Sequence, residues 1–140
     1  MASHNLPHLD RFIDLINSGD QALGQEVISP SAIFHVPFGG PPLEGLAGYL
    51  QTLGMMRSAF PDIDWTIQET VWEGDKVVAC FDTHGTHEGP FMGIPASGKT
   101  FSMTAVNIYR FEDGKIVEEL GQPDIFRLMV PIGAVQPPSA

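Results

Sequence analysis

The sequence predicts an α+β fold, a cone-shaped α+β barrel whose N-terminal helices pack on a strongly curved, mostly antiparallel sheet. Three observations predict it. Apolar residues at helical spacing lie before Pro61, and runs of β-branched and aromatic residues at period two fill the chain after it. Gly74-Asp75 and Asp113-Gly114 punctuate those later runs. Helices first and strands afterwards is the order of a domain whose helices gather on one face of a sheet.

Leu9, Phe12, Ile13 and Ile16 follow the i, i+3, i+4, i+7 spacing of one helical face, and Gly19 supplies the stop. Asp20 suits the N-cap of a second, short helix through Leu23 and Val27, ended by Ser29-Pro30. Ala32 to Val36 reads as a strand, Phe38 to Pro42 as a Gly/Pro loop, and a third helix follows from Leu46 to Phe60, weakened by Gly48 and Gly54. Beyond Pro61-Asp62, strands are expected through Trp65, Ile67 and Val71, through Val77 to Phe81, and through Phe101, Met103, Ala105, Ile108 and Tyr109. Gly74-Asp75 lies between Glu73 and Lys76, and Asp113-Gly114 between Glu112 and Lys115, so two antiparallel hairpins are indicated. Strands of this length twist and coil round a helical layer, leaving a concave interior sized for a small ligand.

The 140 residues, 43% of them apolar, suit one domain with a single core; residues 1–6 and 134–140 are expected to be frayed tails. Seven Lys and Arg against 17 Asp and Glu give a formal charge of −10, which repels phosphate backbones and anionic lipid, so nucleic acid and membranes are poor partners. The lone Cys80 excludes an internal disulfide and, among Val77, Val78, Ala79 and Phe81, reads as a buried reduced thiol. With no basic-then-apolar start and no membrane-length apolar run, a cytoplasmic protein is inferred. His84, His87 and Glu88 do not share a strand face, so no metal site is expected. Gly39-Gly-Pro-Pro42 lacks the lysine of a phosphate loop, and Cys80 has no activating neighbour for nucleophilic catalysis.

Asn17-Ser-Gly-Asp20, the stretch from Gly85 to Lys99 (GTHEGPFMGIPASGK) and that from Ile108 to Glu118 (IYRFEDGKIVE) resemble SnoaL-like polyketide cyclases. The resemblance implies a cone-shaped α+β fold, commonly a homodimer, that closes a ring in a polyketide ester by an aldol reaction without metal or cofactor. It also implies that Asp124 is the acid and base. Leu120 stands where the family often has Trp, a departure expected to reshape the pocket floor.

An aldol closure needs a base beside the acidic C–H and a donor for the oxygen that gains charge. An apolar wall of Ile125, Phe126, Leu128 and Met129 would raise the Asp124 pKa; the alternative role for Asp124 is a helix N-cap. Asn107, an amide between Val106 and Ile108, holds the place of the oxyanion-binding aspartate of ketosteroid isomerase, a related fold; either it donates to substrate or it bonds neighbouring strands. Register decides its face. If Asp113-Gly114 is a two-residue turn pairing Glu112 with Lys115, Asn107 faces the same way as Leu120, Gln122 and Asp124, and a bulge reverses this. His35, between Phe34 and Val36, is either structural or a proton relay at the pocket mouth. Phe12, Tyr49, Met55, Trp65, Phe81 and Met103 either line the pocket or fill the core.

Ketosteroid isomerase chemistry is disfavoured because Phe12 stands in place of its tyrosine. Epoxide hydrolysis is disfavoured because Ala105 and Asn107 replace its arginine and aspartate. Two functions remain: a cyclase or related lyase or isomerase using Asp124 on a polyketide-like substrate, and a carrier of an apolar metabolite with no chemistry of its own.

Overall fold

The computed structural model describes residues 4–37 and 39–139. Helix α1 (Leu6–Ser18) buries Leu9, Phe12, Leu15 and Ile16, the face its spacing predicts, and stops at Gly19, whose φ of 71° suits glycine. Within the stretch 1–6 expected to fray, Asn5 is buried, its side-chain amide donating to Asp75 at 3.3 Å; residues 1–3 lie outside the described ones. Asp20 caps α2 (Gln21–Val27) by accepting from the amides of Ala22 and Leu23.

Strand β1 (Ile28–His35) begins at Ile28 rather than Ala32. Pro30 fits because the ladder to the neighbouring strand is irregular between Ile28 and Ile33, so its missing N–H has no partner to deprive. A two-residue strand, β2 (Leu43–Glu44), pairs with β1 just after the expected loop, whose first residue, Phe38, lies outside the described residues. Then come α3 (Gly45–Ala59), β3 (Asp64–Glu73), β4 (Lys76–Thr86), β5 (Thr100–Glu112), β6 (Lys115–Pro123) and the single-turn α4 (Phe126–Met129). Residues 136–139 are exposed and outside regular structure.

The six strands form one sheet in the order β2-β1-β6-β5-β4-β3, with edges at β2 and β3, so the sheet curves without closing. Among the described residues only the β1–β6 pair is parallel. The two predicted hairpins are β3–β4 and β5–β6. Asp113 and Gly114 both take left-handed φ values, 51° and 75°, the turn whose twist matches that of paired strands.

The second hairpin carries the bulge on which the site depends. Glu112 pairs with Lys115 and Phe111 with Ile116, but Arg110 pairs with Glu118, leaving Val117 extra. From there the parity of β6 is reversed relative to a simple ladder: Tyr109 faces Glu119, Ile108 faces Leu120 and Asn107 faces Gly121. The inward face of β6 is thus Glu119 and Gly121, and the outward face Glu118, Leu120 and Gln122. The same alternation turns Cys80 outward beside Val106, half-buried rather than buried as expected.

The apolar interior falls into two clusters. One packs α1, α2 and α3 on the sheet around Phe12, Phe34, Phe81 and Tyr109; the other gathers Phe60, Phe91, Phe101, Met103 and Leu128 beneath α4. Trp65 touches both.

Candidate active site

Between the two clusters lies a cavity of about 220 Å³. Trp65, Phe81 and Met103 wall it from the strands, Tyr49 and Leu53 from α3, and Phe91 from the β4–β5 loop. Among the described residues lining it there is no Lys or Arg, and Glu119 is the only carboxylate.

Glu119 reaches this position because the bulge at Val117 turns it inward while Glu118 turns out. Burial disfavours its charge and pushes its pKa from 4.5 up to about 7, against the hydrogen bonds of the Tyr109 and Tyr49 hydroxyls, which favour the carboxylate. Its Oε2 is buried and without a hydrogen-bond partner among the described residues. Both tyrosines are held well above the usual phenol range, by burial first and by the Glu119 charge second, so they stay protonated donors. Phe12 stands behind them, its ring centroid 5.6 Å from that of Tyr49 and 5.1 Å from that of Tyr109.

Asn107 completes the group. Its Nδ2 donates to the Tyr109 hydroxyl oxygen at 3.0 Å and its Oδ1 accepts from the Gln122 amide at 3.2 Å. Directly across from it, Gly121 keeps the floor open: a Cβ there would lie 3.3 Å from Asn107 Oδ1 and 3.8 Å from Glu119 Oε1.

Of the residues singled out from sequence, Tyr49, Trp65, Met103 and Asn107 come together on this cavity, with Met55 and Phe81. Four others are placed differently. Phe12 is fully buried core behind the tyrosines and does not line the cavity. Leu120 is 42% exposed on the outer face, because the bulge reversed its parity. His35 reaches the cavity wall, but its ring turns to the outer face, where Nε2 lies 3.0 Å from Glu118 Oε2 and holds that carboxyl below its ordinary pKa. The Asp124 side chain is about half exposed, 3.9 Å from Arg127, and outside the cavity lining, although its neighbours Pro123 and Ile125 line it. It does not cap α4 either; its backbone carbonyl accepts from the Arg127 amide instead.

The motif residues that made no chemistry hold the walls in place. Asn17 donates Nδ2 to the Trp65 carbonyl at 3.0 Å and accepts the Trp65 amide on Oδ1 at 2.9 Å, clamping the end of α1 to β3. The loop after β4 is closed by His87, whose amide donates to the Lys99 carbonyl and whose Nδ1 accepts from the Ser97 amide at 3.2 Å. A Cβ on Gly89 would sit 2.1 Å from the Ser58 carbonyl oxygen, so only glycine lets this loop lie against α3. No group of three or more His, Cys, Asp or Glu among the described residues is arranged to hold a metal.

Glu119 and Tyr109 are the functional candidates that sequence reasoning missed. The adjacent pair Glu118-Glu119 was a usable signal, since neighbouring strand residues face opposite ways and one of two such carboxylates must face inward.

Known proteins bear on the same region. The sequence profile of the SnoaL-like polyketide cyclases matches residues 7–130. The chain is 27% identical over 121 residues to aklanonic acid methyl ester cyclase DnrD of Streptomyces peucetius, covering 81% of this chain and 80% of that protein. It is 27% identical over 107 residues to nogalonic acid methyl ester cyclase of Streptomyces nogalater, covering 75% of each. Among solved structures, TsrD of Streptomyces laurentii superposes with a TM-score of 0.83 at 27% identity, covering 96% of this chain and 99% of that one. Wild-type IdmH of Streptomyces antibioticus superposes with a TM-score of 0.81 at 30% identity, covering 94% and 99%.

Proposed function

Because the chain belongs to the SnoaL-like polyketide cyclase family, we propose that it closes a ring in a small, apolar, polyketide-like ester by an intramolecular aldol reaction, with Glu119 as acid and base. One observation carries this reading: a single carboxyl among the described lining residues, with a pKa near neutrality, sits inside a largely apolar cavity. The Glu119 carboxylate takes the proton from the carbon beside the ester carbonyl. The resulting enolate carbon attacks a ketone carbon of the same molecule, a C–C bond forms, and the alkoxide recovers the proton from Glu119. The Tyr49 and Tyr109 hydroxyls, which bond the Glu119 carboxylate, can turn to the oxygen that gains charge once Glu119 is protonated. No electron leaves the substrate, so the step needs no redox cofactor.

The position of Asp124, between two lining residues, favours a second reading in which that carboxyl swings inward from the rim. A third, the carrier, rests on the cavity alone. Turnover of a polyketide methyl ester of the kind acted on by the Streptomyces relatives separates them. Glu119→Gln is expected to lower kcat by about a hundredfold or more with ligand affinity kept, while Asp124→Asn stays within about tenfold of wild type. Loss confined to Asp124→Asn would transfer the role to Asp124, and tight binding with no turnover by wild type would leave the carrier. The same proposal includes a homodimer, for which the outward row Val71, Ile108 and Leu120 offers an apolar face; light scattering tests it.

A further inference from the structure

The geometry points to Asn107 as a positioning residue that acts through the Tyr109 hydroxyl on Glu119, and not as a donor to substrate. This rests on Glu119 being the reactive carboxyl, and its test below is independent of turnover.

The Asn107 oxygen and one of its two amide N–H groups are already engaged. Oδ1 accepts the Gln122 backbone N–H across the β5–β6 ladder, which fixes which side of the amide carries the nitrogen. Nδ2 therefore points to Tyr109, donating to its hydroxyl oxygen at 3.0 Å. With that oxygen occupied as an acceptor, the hydroxyl proton is left for the other side, where Glu119 pairs directly with Tyr109 across the strands. A donor on the phenol oxygen makes its O–H a better donor in turn, so the three groups form a directed chain from the Gln122 backbone to the carboxyl. Gly121, opposite Asn107, leaves this chain undisturbed where any side chain would press on it.

The groups facing Glu119 are few. Tyr49 comes from α3 and Tyr109 from β5; on β1 the neighbouring titratable group, His35, turns its ring to the outer face against Glu118. No cation lines the cavity among the described residues, so the two phenols set the carboxyl's acidity against its burial.

The experiment is a double-mutant cycle read by carbon-13 NMR titration of the Glu119 carboxyl in Asn107→Ala, Tyr109→Phe and the double variant. Each single change is expected to raise the Glu119 midpoint by about half a unit to one unit, a three- to tenfold change in its acid constant and the size of one hydrogen bond. Asn107→Ala made in the Tyr109→Phe background is expected to add almost nothing, because its only route to Glu119 is gone. Equal shifts in both backgrounds, or an unmoved midpoint in Asn107→Ala, would overturn the proposal. If Asn107 instead bonds substrate, Asn107→Ala raises KM without moving the midpoint. Should Asn107→Ala fail to fold, Asn107→Ser keeps an oxygen beside the Gln122 amide but is too short to reach Tyr109, and the same shift is expected. Loss of turnover in Glu119→Gln is read separately, so a failed cyclase reading and a failed Asn107 reading give different results.

Discussion

Replacing Glu119 with Gln removes a buried charge while nearly preserving shape, and its effect on stability can be worked out from the site. The folded protein holds the Glu119 proton up to about pH 7, whereas a free carboxyl gives it up near 4.5. Below pH 4.5 both folded and unfolded chains are protonated, and the group leaves stability untouched. Between 4.5 and 7 the unfolded chain loses the proton first, so wild type loses stability as pH rises, and above 7 the loss is complete. A rise of this size corresponds to about 3 kcal/mol. Glu119→Gln has no such dependence. Its stability relative to wild type is therefore expected to climb by about 3 kcal/mol between roughly pH 4.5 and 8. Urea unfolding followed by tryptophan fluorescence across that range measures it. The slope is the test, because the different hydrogen bonding of an amide adds only a constant offset. Asp62 and Glu118, both with lowered pKa, titrate alike in the two proteins and cancel. A difference that stays flat with pH would refute the idea that the Glu119 carboxyl is desolvated.

Three further outcomes follow from particular contacts. Gly89→Ala forces a methyl to within 2.1 Å of the Ser58 carbonyl oxygen and should cost about 1–3 kcal/mol in urea unfolding; an unchanged midpoint would mean the loop does not lie against α3. Asn17→Ala leaves the Trp65 N–H and C=O without their partner and should also cost about 1–3 kcal/mol, with ligand affinity falling as the Trp65 wall loosens. Leu120→Trp adds its bulk to the outer face, so ligand affinity by calorimetry should change by less than about twofold; a tenfold change would place Leu120 in the pocket.

The helices, both hairpins and the order of elements were legible because each rests on local chemistry: the Leu9-Phe12-Ile16 stripe, the Asp20 cap, the Asp113-Gly114 turn. What decided the site was not local. A single extra residue, Val117, moves Leu120 to the surface and Glu119 to the interior, and nothing in the strand's composition marks it as a bulge. The face of Asn107 turned on that register, and the bulge set it opposite Gly121. Asp124 drew attention through family likeness, but it lies past the end of β6, where strand alternation no longer dictates its direction. His35 lies at the cavity wall, but its ring, drawn to Glu118, faces the other way. The 85–99 stretch carried the family resemblance, and the structure gives its Gly89 and His87 the work of docking and closing a loop, a contact that no sequence period reports.

Proton abstraction by Glu119 is the claim on which the mechanism depends, and isotope exchange observes it without waiting for ring closure. In heavy water, wild type is expected to exchange the acidic C–H of a bound polyketide methyl ester, as is Asp124→Asn, and Glu119→Gln is not. Undiminished exchange by Glu119→Gln would contradict the account.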